Sequence, residues 1–110
     1  MDARETRLAK NEMLFREINE QIKHSADRHG ADEHAYEFLC ECSNVDCTLR
    51  LQMTVAAYER LRSDPTQFAT APGHWLPEIE TVVETFDGYT IVQKHGEAAE
   101  IGRREDPRRD

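Results

Sequence analysis

Long apolar runs are missing from this chain of 110 residues. No stretch approaches the ~20 apolar positions of a membrane-crossing helix, and the opening MDARETRLAKNE has no apolar segment that would serve as a secretory leader. Glycine is scarce, with five residues and none adjacent. A phosphate-cradling loop needs clustered glycines for the backbone to approach the anion, so none is expected. No HExxH or GxSxG pattern occurs either. Positive charge is in deficit: 14 Lys and Arg stand against 22 Asp and Glu, for a net charge of −8. A free-standing binder of nucleic-acid backbones usually shows the opposite sign. Cysteine comes to three, an odd number that argues against a closed disulfide framework. With 38% hydrophobic and 33% charged residues, a large enzyme core is not expected either.

What is present divides into three blocks. Residues 1–34 carry net −2, residues 35–96 net −5 and residues 97–110 net −1. The middle block holds Trp75, every Tyr and every Cys, and marks the folded centre. The last block has one large apolar residue, Ile101, and is expected to be a mobile charged tail, because it cannot bury enough surface to offset its ordering entropy. The expected organisation is a single domain over 1–96, with a helical arm at 4–28 and a sheet with a cysteine knuckle at 35–95.

Residues 4–28 contain neither Pro nor Gly, and Leu8, Phe15, Ile18, Ile22 and Ala26 recur at helical spacing. This predicts a long amphipathic helix that ends near Gly30 and buries those residues. Met13, about 160° round from Phe15, is expected in solvent. Asn11 and Asn19 lie on or beside the stripe, either at a wet rim or bonded to a neighbouring backbone or a partner protein. Residues 35–40 and 47–53 alternate as strands, with Tyr36, Phe38 and Cys40 on one face of the first and Leu49, Leu51 and Met53 on one face of the second. Thr54 can cap a short helix, VAAYERLR, ended by Asp64-Pro65. QFATA reads as a further extended segment, followed by a Pro72-Gly73 turn.

Residues 79–94 are rich in β-branched side chains around Asp87-Gly88 and predict a hairpin. A three-residue loop, Phe86-Asp87-Gly88, pairs Val83 with Ile91, Thr85 with Tyr89 and Glu80 with Lys94. A two-residue loop would face Glu84 with Ile91, a poorer match. The fold class is therefore α+β: a long N-terminal helix on a small antiparallel sheet, with a knuckle hairpin and one further short helix.

The chemistry sits in CECSNVDC. Cys40, Cys42 and Cys47 follow C-x-C-x4-C between two pairing strands, so three thiols crowd one hairpin tip. Zinc takes four ligands tetrahedrally and favours thiolate and imidazole. The fourth ligand must come from elsewhere, and the histidines are His24, His29, His34, His74 and His95. His74 follows a Pro-Gly turn that can present it to the sheet tip, and it ranks first. His95 ends the last strand and ranks second. His34 belongs at the wrong end of its strand, His24 and His29 lie on or near the helix, and Asp46 or water are further possibilities. Free or redox-active thiols are the alternative to a metal site. Glu78, Glu80 and Glu84 are expected on a solvated strand face, since Glu is rarely buried.

The C-x-C-x4-C spacing resembles the zinc knuckle that follows the SET methyltransferase domain. That likeness covers Cys40 to Cys47 alone and implies metal geometry, not methyl transfer. Over most of its length the chain resembles a family of short, uncharacterised actinobacterial proteins. The residues that carry the likeness are Asn11-Glu12, Phe15-Arg16, Asn19-Glu20, the run FLCECSNVDCTLRLQMT, Asp64-Pro65-Thr66 with Phe68, Ala71-Pro72-Gly73-His74 and the Asp-Gly-Tyr hairpin ending at Lys94. The resemblance implies that the Cys triplet and the Pro-Gly-His turn belong together, and it implies no activity.

The expected cofactor is Zn²⁺ and the expected site Cys40, Cys42, Cys47 and His74. Three thiolates, a neutral imidazole and Zn²⁺ sum to −1, which makes a poor Lewis acid, and Glu41 and Asp46 add negative charge nearby. The expected function is a cytoplasmic, non-enzymatic protein-binding or regulatory module, without membrane or nucleic-acid partners. The alternative is a thiol-based redox or zinc sensor. Four tail arginines, at 103, 104, 108 and 109, are the one counter-signal toward phosphate, and three nearby carboxylates dilute them.

Overall fold

The computed structural model describes residues 3–27 and 34–108. The expected helix stop near Gly30, and His29, lie outside the described residues. The chain runs α1 (Ala3–Asp27), β1 (Ala35–Leu39), β2 (Arg50–Thr54), α2 (Val55–Arg62), β3 (Gln67–Thr70), β4 (Glu80–Phe86), β5 (Tyr89–Lys94) and α3 (Gly96–Arg104). The fold is α+β, as the sequence predicts. The strands form two antiparallel sheets, β1–β2 and β3–β5–β4, where one was expected.

In the first sheet, alternation sets Phe38 opposite Leu51 and Tyr36 opposite Met53. Phe38, Leu51 and Met53 are buried, while Leu49 precedes β2 and is exposed. Thr54 caps α2 by accepting a hydrogen bond from the Ala57 N–H at 3.1 Å. This helix turns Tyr58 onto Phe38, the rings stacked with centroids 4.6 Å apart.

The β4–β5 register corrects the expected pairing near the turn. Phe86 pairs with Tyr89, Thr85 with Thr90 and Glu84 with Ile91 around a two-residue loop, with Gly88 at φ +89°. A bulge between Val82 and Glu84 then restores the expected Glu80–Lys94 pair. Val83 takes the extra position and is half exposed, so the unfavourable Glu84–Ile91 pairing is confined to the hairpin's outer end.

The buried face of α1 also differs from the expected stripe. Ala9, Glu12, Met13, Arg16, Asn19 and Glu20 recur at 3.6-residue spacing and are all buried, with Phe15 and Ala26 beside them. Met13 is thus inside, Ile18 is 47% exposed, and Leu8 and Ile22 are half-buried. The reason lies beneath the helix, where the sheets present polar partners. Lys94 donates to both Glu12 and Glu80, the latter at 2.9 Å. Glu80 also accepts the Leu76 N–H at 2.8 Å, so it is buried rather than solvated, whereas Glu78 and Glu84 are exposed. Tyr58 donates to Glu20 at 2.8 Å.

Helix α3 takes up the first part of the expected 97–110 tail and packs against α1 and β5. Ala98, Ala99, Ile101 and Gly102 are buried there. Small side chains let the helix sit close: a Cβ on Gly102 would lie 3.2 Å from the Pro65 carbonyl oxygen.

Candidate metal centre

Cys40 ends β1. Its N–H donates to the Leu49 carbonyl at 3.1 Å, continuing the ladder with the returning chain. One residue later the chain changes partner, and the Glu41 N–H donates to the Ala69 carbonyl of β3 at 2.8 Å. The knuckle therefore joins the two sheets. Neighbouring side chains in extended backbone point to opposite sides. Cys40 and Cys42 meet in the cluster, while the Glu41 carboxylate faces α1.

A polar turn brings Cys47 back to its partners. The Asn44 side chain accepts the Asp46 N–H at 3.0 Å and the Asn44 carbonyl accepts the Cys47 N–H at 2.9 Å. Opposite stands the turn after β3, where Gly73 takes φ +80° and the His74 N–H donates to the Ala71 carbonyl at 3.0 Å. This turn aims His74 Nδ1 at two sulfurs, 3.8 Å from Cys40 Sγ and 3.7 Å from Cys47 Sγ.

One ligand atom from each of Cys40, Cys42, Cys47 and His74 lies within 4.8 Å of all the others, and the four could hold a metal ion. For Zn–S of about 2.3 Å and Zn–N of about 2.0 Å, a tetrahedral S···N edge is about 3.5 Å. The two S···N separations from His74 thus need only slight contraction. Cys40 and Cys42 are buried, Cys47 and His74 half-buried. The Cys42 thiol is pulled down to about 5 by a hydrogen bond from Cys40, against its burial. That same bond, together with burial, pushes Cys40 well above the usual thiol range. The two thiols are thus pushed in opposite directions, and the thiolate form is favoured at Cys42.

The other candidate ligands stand apart from this cluster. His34 is exposed before β1, edge-on to Tyr36 at 4.9 Å between centroids. His95 is the exposed N-cap of α3, His24 is exposed on α1, and Asp46 is exposed on the knuckle turn. A cleft of about 220 Å³ lies beside the cluster between residues 42–44 and 73–76, with Trp75 in its wall.

Sequence reasoning missed what Glu41 does. Its place in the sequence suggests negative charge added near the metal, but its carboxylate is buried and fully engaged. Arg16 grips it with Nε at 2.7 Å and Nη2 at 2.9 Å. Asn19 donates to it at 3.0 Å and the Ala69 N–H at 3.0 Å. Asn19 also accepts the Leu39 N–H at 2.7 Å and donates to the Leu39 carbonyl at 3.0 Å. Asn11 donates to the Ser43 carbonyl at 3.0 Å. Both asparagines thus bond a neighbouring backbone, the second of the alternatives posed for them. Arg16 further donates to the Gln67 carbonyl and lies 3.9 Å over the Phe68 ring. Burial works against the Arg16 charge, and the Glu41 carboxylate more than offsets it, raising the guanidinium above its ordinary value. A signal was present: Arg16 and Asn19 are three apart on one helix face, matched by a carboxylate locked between two cysteines.

No protein-family model, curated protein or solved structure matches the chain.

Proposed function

We propose that this chain is a small zinc-binding, non-enzymatic domain acting in the cytoplasm as a protein-binding or regulatory module. The observation that carries the metal reading is His74 Nδ1, delivered by a separate turn to 3.8 and 3.7 Å from two knuckle sulfurs. Thiolate and imidazole donors in this number suit Zn²⁺. Four protein ligands would leave no open position, and the resulting charge of −1 argues against Lewis-acid chemistry. A reducing compartment would keep the thiols in the form the site requires. For a partner, Leu14 and Ile18 offer apolar contact one turn apart on the exposed side of α1.

Native mass spectrometry after purification under reducing conditions should count one zinc per chain. Cys42→Ser should lower metal content and melting temperature together. A chain that takes up no zinc when zinc is supplied would overturn the reading. The partner claim requires that Ile18→Asp, a change at an exposed position, abolish capture of a specific protein. Recovery of nucleic acid with a steep salt dependence would refute it. The redox or zinc-sensor reading draws support from Cys47, the least buried thiol, and rapid reversible zinc release by mild peroxide would favour it.

A further inference from the structure

The residue between two candidate ligands is also the anchor of the N-terminal helix. Glu41 lies within the Cys40-Glu41-Cys42 tripeptide, and its carboxylate receives Arg16 and Asn19 from α1 and the Ala69 N–H from β3. Asn11 of α1 holds the next residue but one, at Ser43. Asn19 brackets the other side by pairing with both backbone groups of Leu39. From Leu39 to Ser43, the knuckle backbone and Glu41 thus supply the polar partners of one stretch of α1.

Arg16 and Asn19 on that stretch are buried, and their desolvation is unfavourable unless each partner is in place. From Glu20 onward the helix is held apart from the knuckle, Glu20 by Tyr58 at 2.8 Å and by Arg62 and Arg108, and Lys23 by Glu59 at 3.0 Å. An apolar stripe would tolerate a shifted or loosened neighbour, whereas a bidentate ion pair and a double backbone bond do not. The more N-terminal turn has a separate anchor, because Glu12 is bound by Lys94 on β5.

We propose that metal occupancy at the knuckle gates the docking of α1, with Glu41 as the mechanical link. This rests on the reading of Cys40, Cys42, Cys47 and His74 as metal ligands. With metal bound, the Cys40–Cys42 segment is fixed and Glu41 points at Arg16. Without it, the knuckle relaxes, Glu41 leaves its place, and α1 loosens around Arg16 and Asn19 while the Glu12–Lys94 and Glu20–Tyr58 contacts hold on either side. Loosening there opens the end of β1 and the Phe68 ring, so loss of metal presents a surface the loaded protein hides.

Amide hydrogen exchange on the full chain, with zinc and after removal by a chelator, tests the gate directly. Metal is counted in the same samples. Chelation should raise exchange of the α1 amides around Arg16 and Asn19 at least tenfold, together with those of the knuckle. Amides of the β4–β5 hairpin should change less than twofold. Loss of zinc with α1 protection unchanged would overturn the gate alone. A uniform rise that includes β4–β5 would also overturn it, since metal would then hold the whole fold. A zinc count of zero in the untreated protein would overturn the metal reading and the gate with it. As a second arm, Glu41→Gln should retain its zinc, because Glu41 is not a ligand, and its α1 should exchange fast in both states. Metal-dependent α1 protection surviving in that variant would refute the role of Glu41.

Discussion

Replacing Arg16 with methionine keeps the bulk of the side chain and removes its charge, leaving the Glu41 carboxylate buried without a counter-ion. Two of the four hydrogen bonds that carboxylate accepts come from Arg16, and both groups are essentially inaccessible to solvent. Breaking a buried pair from one side costs about 3–5 kcal/mol. A domain of this length has a total stability of about 5–15 kcal/mol, so the loss is a large fraction of the whole. Adding Glu41→Gln to Arg16→Met removes the orphaned charge while keeping an acceptor for the Ala69 N–H. The second substitution should therefore recover roughly 2 kcal/mol of what the first removed, although alone it is destabilising. Urea denaturation of the four proteins at saturating zinc measures the cycle, with midpoints compared at constant slope. A cost below about 1 kcal/mol for Arg16→Met, or a double variant less stable than Arg16→Met alone, would refute the assignment of Arg16 and Glu41 as a buried ion pair.

Two further outcomes follow from the packing around α1 and α3. Burial, and a hydrogen bond shared with Glu80, hold the Glu12 carboxyl well above the usual range, with Lys94 opposing. Its stabilising contribution is thus complete below its ordinary value and is lost as pH rises through the elevated folded one. Glu80 is shifted the other way: burial works against its charge, but the hydrogen bond from Glu12 and the charge of Lys94 more than offset that. Its contribution is lost instead as pH falls. Glu12→Gln should therefore flatten the decline in melting temperature as pH rises above the ordinary carboxylate range, and an unchanged decline would show that Glu12 does not titrate there. Gly102→Val would place a branched side chain where even a Cβ sits 3.2 Å from the Pro65 carbonyl. It should cost about 1–3 kcal/mol by thermal denaturation, and no loss would mean that α3 does not pack as described.

Elements were legible wherever the local pattern and the tertiary demand agreed. Thr54, the alternation around Phe38 and Leu51, and the β-branched run before Asp87 all fix structure within a few residues. The cluster was legible for a related reason: the three cysteines are close in sequence, and the Pro-Gly turn before His74 has a narrow structural meaning. The buried face of α1 was not legible, because hydropathy ranks Ile18 above Arg16. Only the positions of Glu41 and Lys94, far along the chain, reverse that order. Helix α3 escaped notice since Ala98, Ala99 and Gly102 contribute closeness rather than apolar bulk. The hairpin register turned on a bulge at Val83, which pairwise matching of residues does not contain.

The Phe68 ring has the Arg16 guanidinium 3.9 Å from its centroid and the Lys94 ammonium at 4.9 Å, each cation bound to its own buried carboxylate. The centre of this protein is thus ionic as well as oily, which bears on its calorimetry. Hydrating apolar surface raises heat capacity, while hydrating polar surface lowers it. Melting this interior exposes both kinds at once, so the heat-capacity increment should fall below the usual ~12–15 cal/mol/K per residue. The free energy of unfolding then curves less with temperature, and the desolvation cost of its buried ions diminishes on heating. A chain with little apolar material can in this way spread a modest stability over a broad thermal range, where an oilier core would concentrate it near one temperature.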